Sequence, residues 1–498
     1  MSRAIKANTP AAQTELSLTN GAVVMRNAIG VHPNLQHDTL YSNIFSEQTG
    51  FGLYAIPFDV IRTHDSGCAW YVCEATAGVY NFDRLHALID PLIASGKRIL
   101  YVLTDAPNHA VAGNIKQRWT AGKSLVTGNA LSNMVFPTVA NRNSRMYEVT
   151  TAGTSGTSEP VWPTAFGATV NAVGGTAVYT CRQFPTGSTH TPGYNTTKAG
   201  DVSYGINGTT LAPAASALTN FINAVYAEFG AAIYGFEFGN ESSFDMQDNG
   251  GALVGSSAFN ISDEETFVSN AYVAKAAIAA LPTAVKPVFG GSGWVGNPNA
   301  VDNLKRFLLA KDPVTGKYGY EIGFDWHSTH IYGSYDVGKY GVSGQIQGMY
   351  SNIRAAIKSF AAVLNEYGIT NPKFRITEYG VSSTFSGIPN ANYTALNALS
   401  AADQLTVVKM RTILALCIPN VIGLDFYNHK ADFNTDFRTA NSPIRQALAW
   451  LDTIYCINWA KQNPVTGQLT VNVQYEGNVG AGTTETFNYP AGWANYYW

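Results

Sequence analysis

Apolar positions along this chain follow two alternating periods. Short apolar runs ending in polar residues are each followed by stretches whose apolar positions fall three and four apart, the spacing of a helix with one buried face. Residues 28–32 form the first run, and a helical pattern lies near 40–49. Residues 60–65 form the second; Leu85, Leu88, Ile89, Leu92 and Ile93 then keep helical spacing until Gly96 stops them. Residues 98–105 form the third run.

The alternation then breaks. Between about 112 and 192 there is no helical period, only Gly, Thr, Ser and Pro clusters around strand-like runs at 146–150, 160–163 and 176–181. Gly174 and Gly175 suit a hairpin turn there. Eighty structureless residues would not fit a compact domain, so this stretch reads as an inserted small β module.

Beyond it the alternation resumes. Leu218, Phe221, Ile222, Val225 and Phe229 mark a helix, and residues 234–241 a buried strand ending in Asn240 and Glu241. Ser262 and Glu265 have capping-box spacing ahead of a helix to about 281. Strands at 285–293, 324–333, 374–380 and 421–428 alternate with helices at 299–310, 343–367, 396–418 and 444–455. Eight strand–helix units predict a (β/α)8 TIM barrel of the α/β class. A doubly wound sheet is the rival, but no Gly-rich phosphate turn follows the first strand. Residues 469–476 and 485–489 are expected to pair as strands in a short C-terminal β extension, and the aromatic end from Trp493 to Trp498 reads as docked or membrane-averse rather than free. The expected organisation is barrel (1–111), insertion (112–192), barrel (193–458) and extension (459–498).

Composition narrows the chemistry. Of 498 residues 46% are apolar, as in a globular chain, and the net charge of −3 comes without a basic run, which excludes a nucleic-acid partner. No stretch approaches membrane-spanning length, so no membrane partner is expected, and residues 1–20 lack an apolar run of signal-peptide length. The five cysteines have no metal-ligand spacing and read as free buried thiols, with a Cys68–Cys73 or Cys68–Cys181 bridge left open. The 27 tyrosines and 9 tryptophans suit either a sugar-binding cleft or a core.

In a barrel of this kind the site lies where the strands end. The tips carry His32; Arg62, His64 and Asp65; Asp105 and Asn108; Asn240 and Glu241; Trp294; His327, His330 and Tyr332; Glu378; and Asp425, Tyr427 and His429. Glu241 and Glu378 each end a strand, as two-carboxylate glycoside chemistry requires. Arg62 could hold one carboxylate ionised, while Phe236 and Phe238 could supply apolar surroundings for the other. Trp70 and Trp294 read equally as sugar platforms or core, and Trp162 as the core of the insertion. His327 and His330 mimic metal spacing, but strand neighbours face opposite ways and no third ligand is evident, so no metal is expected.

Asn240-Glu241 and the run from Thr377 to Gly380 resemble the paired signatures of clan A glycoside hydrolases, as do Arg62 to Asp65, Trp70 and the run from Gly78 to Asp83. Ser328 to Tyr332 resembles the sixth strand of family 39-like members, which include β-xylosidases and bacterial exopolysaccharide hydrolases. The resemblance covers roughly residues 28–110 and 193–456. It implies a retaining hydrolase with Glu241 as acid/base, Glu378 as nucleophile and Asn240 on the sugar 2-hydroxyl. It also implies Arg62 and Tyr332 against the nucleophile, with His330 nearby. Phe238-Gly239 before Asn240, and a last strand without the Trp that often floors the clan's sugar subsite, depart from the pattern and bear on substrate choice.

The stretch from Tyr147 to Gly156 with Ser158 to Pro163 resembles a small β module of phage and prophage tail proteins. That implies a bacterial surface polysaccharide as substrate and association with a tail or virion. The expected reading is therefore a cofactor-free retaining glycosidase, extracellular or virion-associated without a cleaved signal peptide. A non-catalytic polysaccharide-binding tail protein and a polysaccharide lyase stay open beside it.

Overall fold

In the computed structural model, eight short strands close into a parallel barrel in chain order. They are β1 (Ile29–His32), β2 (Val60–Arg62), β3 (Arg98–Leu103), β4 (Ile233–Phe238), β5 (Val288–Val295), β6 (Trp326–Tyr332), β7 (Phe374–Gly380) and β8 (Val421–Tyr427). The structure describes residues 16–17, 22–32, 57–64, 66–104, 119–127, 134–135, 137–138, 141, 146–165, 167–182, 211–240, 264–295, 300–312, 314–332, 353–380, 399–427, 442–463, 466–478, 480 and 482–490. The expected helix near 40–49 lies outside them, as do Asp65, Asp105, Asn108, Ser262, His429 and the aromatic end from Trp493.

Seven long helices among the described residues follow β2 to β8, besides one short turn at Trp70–Cys73: α1 (Asp83–Ala94), α2 (Leu211–Phe229), α3 (Glu264–Ala279), α4 (Ala300–Leu309), α5 (Ile353–Glu366), α6 (Ala401–Leu416) and α7 (Pro443–Asp452). The periodic apolar residues place them. Leu85, Ile89 and Leu92 of α1, like Leu218, Phe221, Ile222 and Val225 of α2, are buried in one continuous core with the outward side chains of the strands. Ser400 and Ser442 cap α6 and α7 by accepting from Asp403 N and Arg445 N, satisfying donors that the first helical turn leaves open. None of these helices is long and apolar enough to cross a membrane.

Helix α7 stops at Asp452 rather than continuing to 455, because Ile454 opens a strand paired on both edges. Ile454–Gln462 is bordered by Leu16–Ser17 and Val23–Val24 on one side and Leu469–Tyr475 on the other. Leu469–Tyr475 pairs in turn with Thr483–Phe487, as the pattern at 469–476 and 485–489 predicted. The contribution of residues near the N-terminus to this sheet was not anticipated.

The described part of the stretch after β3 contains β structure. Met134–Val135, Met146–Thr151, Thr169–Asn171 and Val178–Arg182 make an antiparallel sheet, and Ser124–Leu125 pairs with Gly153–Thr154. Tyr147, Val149, Trp162, Tyr179 and Cys181 form its separate core, with Trp162 in the place expected. Gly174, at φ +69°, lies in the turn between two of these strands, a conformation a side chain would strain. Residues 160–163 are not a strand. Pro160 and Pro163 cannot donate to a ladder, and the segment is held instead by Glu159, which accepts from Trp162 Nε1 at 2.7 Å and Thr138 N at 2.6 Å. All five cysteines are buried thiols outside any disulfide, so neither bridge left open by the sequence forms.

The barrel interior is layered. Where the strands begin, Val60, Leu100 and Trp326 pack with Tyr234, Val288 and Ile422. Next comes a buried ion pair, Arg375 Nε to Asp425 Oδ2 at 2.8 Å and Nη2 to Oδ1 at 2.6 Å. Gly30 faces it from β1, where a Cβ would fall 1.7 Å from Asp425 Oδ1. Polar residues of the strand tips form the third layer.

Candidate active site

Arg62 is the centre of that third layer. It ends β2 fully buried, and each of its five N–H groups donates one hydrogen bond, the full complement of a guanidinium. Nε donates to Glu237 Oε2 at 2.6 Å, and Nη2 donates to Glu237 Oε1 at 3.2 Å and Asn240 Oδ1 at 2.6 Å. Nη1 donates to Glu378 Oε1 at 3.1 Å and His32 Nδ1 at 2.9 Å. Strands β1, β2, β4 and β7 are thereby tied at their tips. Burial opposes the charge of Arg62, but Glu237 and Glu378 beside it hold its pKa above the usual arginine value.

These contacts settle the state of His32. Arginine only donates, so Nδ1 of His32 must accept, and its proton must lie on Nε2, which donates to the His64 carbonyl at 2.9 Å. The His64 ring lies 5.5 Å from that of His32, and the Tyr427 ring 4.7 Å from it. Tyr427 is the register partner of His32 across β8 and β1.

Glu378 lies at the tip of β7, 5% exposed. His330, its register partner on β6, brings Nδ1 to 3.3 Å from Oε2. Burial pushes His330 down to about 4, against a smaller opposing effect of Glu378, so the imidazole is neutral at neutral pH. Arg62, a positive charge that does not titrate, therefore touches one oxygen of Glu378 and a neutral ring approaches the other.

Of the residues expected at the site, Arg62, His64, Asn240, His330, Glu378 and Tyr427 are gathered at the strand tips. Glu241 lies outside the described residues, one position beyond Asn240. Trp294 and Tyr332 lie within β5 and β6, and their side chains are also outside the description. Trp70 is core: it stacks on Phe221 at 5.0 Å between ring centres, and Nε1 donates to Glu74 Oε2 at 2.5 Å. His327 shares no site with His330; its ring packs near Phe324 and Phe374, and burial pushes it down to about 4. Asp425 sits one layer down with Arg375 rather than at the site.

Glu237 was missed. It interrupts an apolar strand between Phe236 and Phe238, which pack outward against Tyr101 and Phe267 while Glu237 is turned to Arg62. The available signal was a carboxylate within a buried strand, which demands a buried cation. Thr377 Oγ1 completes its shell, donating to Oε1 at 3.0 Å.

His32, His64 and Glu378 bring three ligand atoms within 4.8 Å of one another. Arg62 already supplies the positive charge there, bonded to both His32 and Glu378. A divalent ion would have to sit against that guanidinium and take the His32 lone pair it uses. The donor set fits a guanidinium better than a metal.

No family model matches the chain, and no curated protein matches it. Several solved structures are similar at low identity. A glucosidase from Croceicoccus marinus is 11% identical over 95% of this chain and 83% of its own, at a TM-score of 0.44. A family 39 glycoside hydrolase from Bacteroides cellulosilyticus is 14% identical over 93% and 70%, at 0.44. A family 39 enzyme from Xanthomonas axonopodis pv. citri is 12% identical over 96% and 78%, at 0.43.

Proposed function

We propose that this chain is a retaining glycoside hydrolase that cleaves a bacterial surface or exopolysaccharide: a capsule, lipopolysaccharide or biofilm glycan. Glu378 is the nucleophile. Its carboxylate attacks the anomeric carbon while Glu241 protonates the departing glycosidic oxygen, leaving a glycosyl ester on Glu378. Water, deprotonated by Glu241, then attacks the same carbon and releases Glu378 as a carboxylate. Two carboxylates and a water suffice, and no metal or organic cofactor enters.

One observation carries the reading: Arg62 joins Glu378 at the tip of β7 to Asn240 at the tip of β4, through bonds of 3.1 and 2.6 Å. The guanidinium keeps positive charge beside the group that must attack as an anion. It also fixes the amide oxygen of Asn240, leaving the amide NH2 to meet a sugar hydroxyl. His64, His330, Tyr332, Trp294 and Tyr427 are assigned to the sugar around this pair. The sequence likeness of the insertion to phage tail modules supports a bacterial surface glycan and association with a tail or virion.

The test is reducing-end release from a panel of capsules, lipopolysaccharides and biofilm glycans by the wild type, Glu378→Gln and Glu241→Gln. Release by the wild type alone, with the product's anomeric configuration retained, is the expected result. Release by all three removes these glutamates from the mechanism, and products with unsaturated ends point to a lyase. Binding without release by the wild type favours a receptor-binding protein.

A further inference from the structure

Arg62 divides its donors unequally between two carboxylates. Glu237 takes two of them, at 2.6 and 3.2 Å, and Glu378 one, at 3.1 Å. The others are fixed by His32 and Asn240, so none is left to strengthen the bond to Glu378. Glu237 is fully buried at a strand position below Asn240, and Thr377 holds the oxygen that meets Arg62 Nη2. The other buried arginine of the interior, Arg375, has its own carboxylate in Asp425.

We infer that Glu237 is a charge-balancing and positioning residue, which takes up the charge of Arg62 so that Glu378 keeps a single hydrogen bond to it and stays reactive. The inference rests on the reading of Glu378 as nucleophile. A carboxylate clamped by a whole guanidinium is stabilised as an anion and gives up its electron pair reluctantly. One that shares the cation with a second anion is less stabilised. Geometry alone favours Glu237 as the tighter partner, because it meets the Nε edge of the guanidinium with both oxygens. Glu237 touches no substrate in this scheme and acts through Arg62.

The two possible roles of Glu237 differ in sign. If it balances charge, Glu237→Gln removes a negative charge near Glu378, strengthens the pull of Arg62 on it, and makes Glu378 more acidic. If it only props Arg62 in place, the substitution loosens Arg62 and makes Glu378 less acidic. The experiment is a carbon-13 NMR titration of the full chain labelled at glutamate carboxyls, with Glu378 assigned from the Glu378→Gln spectrum. The expected result is a Glu378 titration that moves to lower pH in Glu237→Gln, by roughly tenfold in the ionisation constant, and stays near wild type in Glu237→Asp.

A titration that is unmoved or moves upward in Glu237→Gln overturns the inference, as does an equal shift in the Asp variant. Should Glu237→Gln fail to fold, the wild type still decides: a Glu237 carboxyl protonated at neutral pH cannot balance Arg62. The titration needs no substrate. The expected shift in a protein that cleaves no glycan would therefore sink the hydrolase reading and leave the charge balance standing. An active hydrolase with an unmoved titration would do the reverse.

Discussion

His330 and Glu378 are register partners on adjacent parallel strands, and Nδ1 of the one lies 3.3 Å from Oε2 of the other. The contact looks like an ion pair and is not one at neutral pH, since burial pushes the imidazole down to about 4. It brings a neutral ring beside the carboxylate, so Arg62 is the only charged partner of Glu378 among these contacts.

The two buried histidines predict acid sensitivity. His327 and His330 bind a proton only near pH 4 in the folded protein, against an ordinary value of 6.5. Between those values the unfolded chain holds more protons, so stability falls as pH falls from 6.5 to 4. Melting temperatures across that window should drop, and His327→Gln, which lies outside the site, should flatten the drop. An unchanged slope in the variant would show that His327 is not the source.

A third histidine has the opposite sign. His86 of α1 bridges Asp90 and Glu228 through its two ring nitrogens, each at 2.8 Å, and can donate to both only as an imidazolium. Burial opposes the charge, but the hydrogen bonds to the two carboxylates outweigh it, so the pKa is raised from 6.5. The α1–α2 link is therefore complete below pH 6.5 and weakens as pH rises through the folded value. The cluster is largely exposed, so His86→Gln should cost at most about 1 kcal/mol at pH 6 and less at pH 9, by urea denaturation.

Arg62 is expected to be the least replaceable of the site residues. Removing it leaves Glu237 and Glu378 buried without their shared cation, a class of change that costs about 3–5 kcal/mol. Lysine keeps the charge but offers three donors on one atom where five are bonded along a plane. Arg62→Ala should lose stability of that order in denaturant unfolding, and Arg62→Lys should recover only part of it while remaining poorly active. Full recovery by lysine would mean that charge rather than the planar fork matters.

The interior ion pair is tested by a single methyl group. In Gly30→Ala the new Cβ would overlap Asp425 Oδ1 and lie 2.9 Å from Arg375 Nη2, so the pair must move. Overpacking of this kind costs about 1–3 kcal/mol, and displacement of a buried pair adds to it. Gly96→Ala is the control, since nothing lies within 4 Å and only the positive φ of 86° opposes it. A milder effect at residue 30 than at residue 96 would contradict the packing described.

The period of apolar residues was enough to read the barrel strands and most helices. Each strand buries one face on the helices and each helix one stripe on the strands, so burial is written locally. Where elements end was less legible. The boundary at Ile454 depends on Val23–Val24 and Leu16–Ser17, more than 400 positions earlier in the chain, supplying the pairing edge. Residues 160–163 looked strand-like, but two prolines and the bonds of Glu159 decide otherwise.

Apolar runs closed by a polar residue are legible in the chain alone, and they put Arg62, Asn240 and Glu378 among the candidates. The folded barrel brings Glu237 to Arg62, keeps Asp425 and Trp70 apart from it, and sets His330 beside Glu378 as a neutral ring. The reason is physical: the charge a buried group can hold depends on what lies within a few ångströms of it. Those neighbours come from strands far apart in the chain, as with Arg62 and Glu378.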